Sequence, residues 1–347
     1  MDRRNLLKAI GGLTLLASSN KSFAINNKQA LIKPKVLSEG DKVSIIAPGS
    51  AVSSPDDHNR AIEILDKLNL KHEFAPNVKI GSGYKTRSIK ERVEDLHFAF
   101  ESDSKAVIAI RGGYGSASML PYIDFNLIKR NPKIFCGYSD VTALHLAINK
   151  VVNMVTFHGP VLLSKFDNYT FENFKMALFG YSSNYAISNP KSKSLREANP
   201  ITIISAGKAK GKLLGGNLSL LTSLLGSEYC PSLQNNKDRI LFIEDVGEAP
   251  YKIHRMLTQL KLAGYFDSSH ISGLIIGKCD DCTRNSASTW DQSEMEVYYE
   301  FFNSVDFPVI HGFLIGHTSS QTTLPIGVEV EIDTDNKRVV LLEKPHS

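Results

Sequence analysis

At 347 residues, with 42% hydrophobic and 22% charged, the chain is long enough for two domains and is neither disordered nor fibrous in composition. Its net charge of +4 is concentrated at the start, where Arg3, Arg4, Lys8 and Lys21 face only Asp2; this leaves 36 of the 40 basic and 35 of the 36 acidic residues for the remainder. No Lys/Arg block follows, so no nucleic-acid partner is expected.

Residues 1–24 read as an export signal peptide. Arg3-Arg4-Asn5-Leu6-Leu7-Lys8 is the charged start, Ala9 to Ala17 a short apolar stretch, and Ser22-Phe23-Ala24 a small-x-small cleavage site. The arginine pair followed by Leu6-Leu7-Lys8 resembles a twin-arginine signal, with a generic secretory leader as the other reading. The apolar run is too short to span a bilayer as a helix. No stable membrane insertion is therefore expected after signal removal, and the mature chain is expected to be exported to the periplasm.

From residue 36 the pattern alternates strand and helix. Residues 42–47 form an apolar strand closed by Pro48-Gly49-Ser50, and residues 58–68 and 88–100 carry apolar side chains at helical spacing. Residues 105–110 read as a buried strand running directly into Arg111-Gly112-Gly113-Tyr114-Gly115. A third strand over 133–137 precedes a helix over 141–150. This alternation predicts an α/β fold with a Rossmann-like parallel sheet in an N-terminal domain over 35–165. The stretch 166–205 loses the rhythm, is rich in Asn, Ser, Lys and Tyr, and reads as a linker. A smaller C-terminal α/β domain is expected over 206–345. Its strands are placed at 239–243, 273–276 and 309–312, its helices at 218–225 and 249–263, and its closing antiparallel pair at 328–332 and 339–342. Ligand sites of open α/β sheets lie at the carboxyl ends of strands.

Several segments at such ends can carry chemistry. Gly137-Tyr138-Ser139-Asp140 bridges a strand and a helix, where a serine is lifted above the sheet edge and the next N–H can face an oxyanion. Ser-Asp is equally a helix-capping pair, and Val141 stands where a nucleophile elbow has glycine. The glycine-rich loop 111–115 can approach a ligand or simply turn tightly. It is not a dinucleotide fingerprint, because Ser118 occupies the last glycine position. Glu244-Asp245-Val246-Gly247-Glu248 places three acids past an apolar strand, where a carboxylate can orient a histidine, bind a cation or cap a helix. His317 offers a base, a ligand or a buried polar group, and on pattern alone His58, His145, His158, His254 and His311 compete with it. Cys279-Asp280-Asp281-Cys282 has no second pair to complete a zinc site, so a local disulfide or two inert thiols is expected, with Cys136 as packing.

Taken together, these segments are similar to the LD-carboxypeptidase family of serine peptidases, which includes the microcin C immunity hydrolases. The resemblance runs from about Lys35 to Val330 and rests on blocks at 40–50, 111–115, 137–140, 211–220, 244–248 and 316–318, in the family's order. It implies Ser139 as nucleophile, Glu244 as acid and His317 as base, with the site in the cleft between the domains. It also implies an oxyanion hole from the N–H groups of Gly113 and Asp140, and a pocket lined by Arg111 and Glu248. No metal or organic cofactor is implied. The implied reaction cleaves the amide between the L-centre of meso-diaminopimelate or lysine and the terminal D-alanine of peptidoglycan tetrapeptides, through an acyl-enzyme. Its partners are then muropeptides; a homodimer is compatible with the sequence, which leaves the oligomeric state open. Family members that recycle cell wall act in the cytoplasm, whereas this chain carries a leader. Three other readings stay open: a hydrolase of peptide-nucleotide antibiotics, with Trp290 as the single tryptophan to stack a purine; a non-catalytic exported solute-binding protein; and a metal enzyme using Glu244, Asp245 and His317.

Overall fold

Two sheets organise the chain, described here from a computed structural model for residues 30–81, 87–182, 184–190, 199–231, 238–282 and 292–347. The expected export signal and Trp290 lie outside the described residues. Residues 31–347 cluster as one compact unit. Among the described residues no helix is long and apolar enough to cross a membrane.

The first sheet contains β1 (Lys42–Ile46), β2 (Lys71–Phe74), β3 (Ala106–Ala109), β4 (Ile134–Gly137) and β5 (Thr156–His158), with β12 (Leu324–Ile326) added from far along the chain. Its order is β12-β5-β4-β3-β1-β2, with β1 to β5 parallel and β12 antiparallel to β5. Strands β3 and β4 are buried throughout, as expected of a parallel sheet covered on both faces. The covering helices are α1 (Pro55–Lys67), α2 (Ile89–Glu101), α3 (Phe125–Arg130) and α4 (Thr142–Val152). Their starts are encoded locally. Ser54 caps α1 ahead of Pro55, and Ser88 with Glu91 forms a capping box on α2. Helix α2 then buries Val93, Leu96, Ala99 and Phe100, each large apolar side chain contributing about 2–3 kcal/mol of transfer free energy.

The parallel order 2-1-3-4-5 reverses direction between β1 and β3, and open α/β sheets place their crevice at such a switch point. The 48–50 and 111–115 loops leave β1 and β3 there, and Ser139 follows β4 next door.

The second sheet has the order β6-β14-β13-β8-β9-β10-β11-β7. Its centre is four parallel strands: β8 (Lys208–Asn217), β9 (Arg239–Glu244), β10 (Gly273–Gly277) and β11 (Val309–Phe313). The expected antiparallel pair is β13 (Glu329–Asp333) with β14 (Arg338–Leu341). Eight strands make this the wider sheet, although the C-terminal half reads as the smaller unit from the sequence. The extra width comes from residues 166–205, which supply β6 (Ala186–Ile187) on one edge and β7 (Thr202–Ser205) on the other, together with helix α5 (Asn168–Phe179). Polar residues obscure the helical face of α5, formed by the buried Thr170, Phe174, Ala177 and Leu178. Helices α6 (Leu218–Ser223), α7 (Pro250–Leu262) and α8 (Glu294–Phe302) complete the C-terminal half.

After β11 the chain crosses back to pair β12 with β5, and only then returns to β13. His317 stands on that crossing.

Candidate active site

Ser139 sits directly after β4 with φ +63°, a left-handed conformation that a non-glycine residue adopts at a cost of about 1–3 kcal/mol. The strained turn presents its hydroxyl at the sheet's carboxyl edge, and Tyr138–Val141 then leads into α4. His317 Nε2 lies 3.0 Å from Ser139 Oγ, and His317 Nδ1 lies 2.8 Å from Glu244 Oε2. The His317 backbone N–H also donates to Glu244 Oε2, at 3.3 Å. Glu244, the last residue of β9, is fully buried. With the carboxylate on Nδ1, the imidazole carries its proton there and turns a bare Nε2 toward the serine, the tautomer a general base requires.

The charges support one another. Burial alone would raise the Glu244 pKa, but the hydrogen bond and charge of His317 hold it below the ordinary carboxylate range. Burial alone would lower the His317 pKa, yet the hydrogen bond and charge of Glu244, with Asp245 and Asp280 behind, raise it above the ordinary histidine value. The Tyr138 ring stands edge-on to His317 with centroids 4.8 Å apart, which fixes the imidazole plane.

The loops from β1 and β3 close over the serine. A Cβ at Gly112 would lie 3.1 Å from the Ser139 Cβ, and one at Gly113 (φ +101°) would run into the Ser50 side chain, so only glycine allows this approach. Among the described residues, the N–H groups of Gly113 and Asp140 donate no hydrogen bond. The Asp140 side chain is occupied elsewhere: it accepts from the N–H groups of Gly115 and Ser116 at 3.0 and 2.9 Å and from the Ser116 hydroxyl at 2.5 Å. A cavity of about 480 Å³ opens beside Ser139 and His317, with Arg111, Gly113 and Arg60 among its lining. Arg111 thus lies where a ligand's anionic group would meet it. Glu248 is not among the lining residues and pairs instead with Lys252 at 3.1 Å, one turn along the start of α7.

The competing histidines have other surroundings. His58 bonds the Val52 carbonyl, His145 the Gly137 carbonyl, and His254 lies against Glu300. His311 lies 4.0 Å from Glu294, and His158 is buried below Glu244. Asp245 accepts hydrogen bonds from Asn217, Ser219 and the Val246 N–H. Among the described residues no group of three His, Cys, Asp or Glu side chains is arranged to hold a metal ion. Cys279 and Cys282 are buried free thiols, with Cys279 Sγ 3.2 Å from the Tyr298 hydroxyl; Cys136 is a buried free thiol in β4.

Two supporting groups escape sequence reasoning. Arg92 of α2 is buried and donates to the carbonyls of Pro48 and Gly115, both at 2.8 Å, tying the two loops that cover Ser139. Arg87 pairs with Asp95 at 2.6 Å and also donates to the Ala47 carbonyl, anchoring the end of β1. The available signal for Arg92 is its place, with Asp95, among the apolar residues that α2 buries.

Models of the LD-carboxypeptidase N-terminal and C-terminal domains match residues 43–159 and 210–332. A Bacillus subtilis protein named "Probable murein peptide carboxypeptidase" is 36% identical over 89% of this chain and 94% of its own length. The Escherichia coli microcin C7 self-immunity protein MccF is 31% identical over 89% of this chain and 95% of its own. A structure of MccF in complex with glutamyl sulfamoyl guanosine matches with a TM-score of 0.80, covering 91% of this chain and 100% of that one. The muramoyltetrapeptide carboxypeptidase from Oxalobacter formigenes matches with a TM-score of 0.71 at 27% identity, covering 88% and 99% of the two chains.

Proposed function

The chain belongs to the LD-carboxypeptidase family, and from that premise we propose that it is an exported serine carboxypeptidase that removes the terminal D-alanine from peptidoglycan tetrapeptides. The observation that carries this reading is His317, hydrogen-bonded at 3.0 Å to Ser139 Oγ on one side and at 2.8 Å to the buried Glu244 on the other.

In this mechanism His317 Nε2 takes the Ser139 proton as Oγ attacks the carbonyl of the L-centre that precedes D-alanine. The carbonyl π pair becomes an oxyanion facing the N–H groups of Gly113 and Asp140. Each such donor lowers the barrier by about 3 kcal/mol. The imidazolium, stabilised by Glu244, passes its proton to the amine of D-alanine as the C–N bond breaks. Water, deprotonated by His317, then releases the acyl group and restores Ser139. Arg111, on the cavity wall, is suited to the free carboxylate of the departing D-alanine. The Arg3-Arg4 leader, cleaved after Ala24, delivers the protein to peptidoglycan outside the cytoplasmic membrane.

A second reading has its own support. The likeness to MccF favours a hydrolase of peptide-nucleotide conjugates that uses the same three residues. One experiment separates the two: mass spectrometry of a muropeptide tetrapeptide and of an aminoacyl sulfamoyl nucleoside, each incubated with enzyme and with Ser139→Ala. Loss of one alanine from the tetrapeptide, absent in the variant, supports the carboxypeptidase. Cleavage of the nucleoside conjugate alone moves the assignment to the second reading, and turnover by Ser139→Ala at the native rate removes both.

A further inference from the structure

The carboxylate that orients His317 uses only one of its oxygens for that purpose. Glu244 Oε1 is buried and has no hydrogen-bond partner among the described residues. The polar atom facing it is His158 Nε2, 3.8 Å away, and both ring nitrogens of His158 also lack partners there. An ionised carboxylate oxygen and an imidazole, both fully buried, therefore face each other with no other hydrogen-bond partner among the described residues. Unpaired buried polar atoms are costly, and a buried charge more so, which makes this pairing the feature to be explained.

His158 is held firmly in that position. It ends β5, in register with Gly137 of β4 on one side and Leu324 of β12 on the other. Its ring packs edge-on against Phe242 at 5.2 Å and Tyr138 at 6.2 Å, and lies 6.2 Å from the ring of His145.

We propose that His158 is a positioning residue: as the neutral Nε2–H tautomer it directs a donor at Glu244 Oε1, keeping that carboxylate ionised and its other oxygen on His317. The choice of tautomer follows from the geometry. A proton on Nδ1 leaves an unpaired N–H in an apolar pocket and sets the Nε2 lone pair against a carboxylate oxygen. A proton on Nε2 turns that repulsion into attraction and leaves only a bare lone pair unmatched. At 3.8 Å the contact is long for a hydrogen bond, but in a dry interior an N–H dipole aimed at a carboxylate still stabilises the charge.

The titratable groups around His158 are Glu244, His317, His145 and Tyr138. Burial pushes the His158 pKa down to about 4 and that of His145 to about 3, so both rings stay neutral over the working range. His158 therefore acts as a fixed dipole and not as a proton carrier. The role rests on Ser139, His317 and Glu244 being the catalytic set.

The test uses His158→Phe, which keeps an aromatic ring without a donor, and His158→Gln, which restores an N–H. The readout is the rate at which a fluorophosphonate labels Ser139 as a function of pH, which requires no knowledge of the substrate. His158→Phe is expected to slow labelling about 10- to 100-fold. It also moves the acid limb to higher pH, because a donor to the anionic form stabilises the deprotonated Glu244–His317 pair and its loss favours proton binding. His158→Gln returns the limb toward the wild-type position. A slowed His158→Phe with an unmoved limb, matched by an equally slow His158→Gln, identifies a packing role and overturns the proposal. Should neither variant fold, the wild-type protein decides, by nitrogen-15 spectra of its histidine rings. A neutral His158 protonated on Nε2 supports the assignment, and protonation on Nδ1 or on both nitrogens overturns it. Because the ring spectra do not depend on turnover, a failure of the carboxypeptidase reading is distinguishable from a failure of this one.

Discussion

Replacing Gly316 by alanine adds one methyl group where Glu244 and His317 meet. Gly316 has φ +79°, and a Cβ there would lie 1.9 Å from Glu244 Oε2, the oxygen that accepts both His317 hydrogen bonds. Ordinary contact begins near 3.4 Å, so the carboxylate or the backbone has to give way by about 1.5 Å. The obstruction is the buried carboxylate itself, not the free end of a flexible chain. A shift of that size breaks the 2.8 Å bond that sets the His317 tautomer. Misplacement by about 1 Å costs on the order of 100-fold in rate, and loss of the orienting acid up to about 10,000-fold. The left-handed backbone adds about 1–2 kcal/mol of instability. Gly40→Ala is the control: its φ is +82° and a Cβ there meets nothing within 4 Å. Both variants should unfold at lower denaturant concentration than wild type, but only Gly316→Ala should lose kcat/KM on the tetrapeptide, by 100-fold or more. A folded Gly316→Ala within threefold of wild-type kcat/KM would refute the claim that the Glu244–His317 contact orients the base.

The strain at Ser139 gives a second expectation. Ser139→Gly and Ser139→Ala both lose turnover, but the glycine variant should be more stable by about 1 kcal/mol in chemical denaturation, because φ +63° suits it. Equal stabilities would remove the strain. For pH dependence, a general base has to be neutral, so kcat/KM should rise with pH along a limb above the ordinary histidine value of about 6.5, in keeping with the raised His317 pKa. Glu244→Gln removes the charge responsible and leaves burial dominant, so its residual activity should show a limb at lower pH; a limb that stays in place contradicts the coupling. Finally, Arg87→Met leaves the buried Asp95 without its cationic partner, with only the Asn77 donors remaining, and equilibrium unfolding should show a loss of about 3–5 kcal/mol. A loss under 1 kcal/mol would mean that Asp95 takes up a proton at little cost.

Much of the framework is legible along the chain, because its signals are local. Buried parallel strands are short apolar runs, and helices announce themselves by capping residues such as Ser88 with Glu91 and by apolar spacing. The segments at the strand ends, including those bearing Ser139, Glu244 and His317, fall where the alternation puts them. Helix α5 escapes this reading because Asn, Tyr and Lys crowd its exposed side. The short β5 and β12 escape it because three residues carry no period; β5 becomes a strand by pairing with β4, and β12 by pairing with β5. On pattern alone His317 stands level with His158 and His311, and only resemblance to a family singles it out. The structure separates them by position: the crossing from β11 to β12 brings His317 to Ser139 across 178 residues of sequence, while β5 buries His158 beneath Glu244. Such convergence depends on sheet order and register, which arise from packing between distant segments. A local pattern records which residues face a sheet or a helix, and only the folded chain determines which side chains meet.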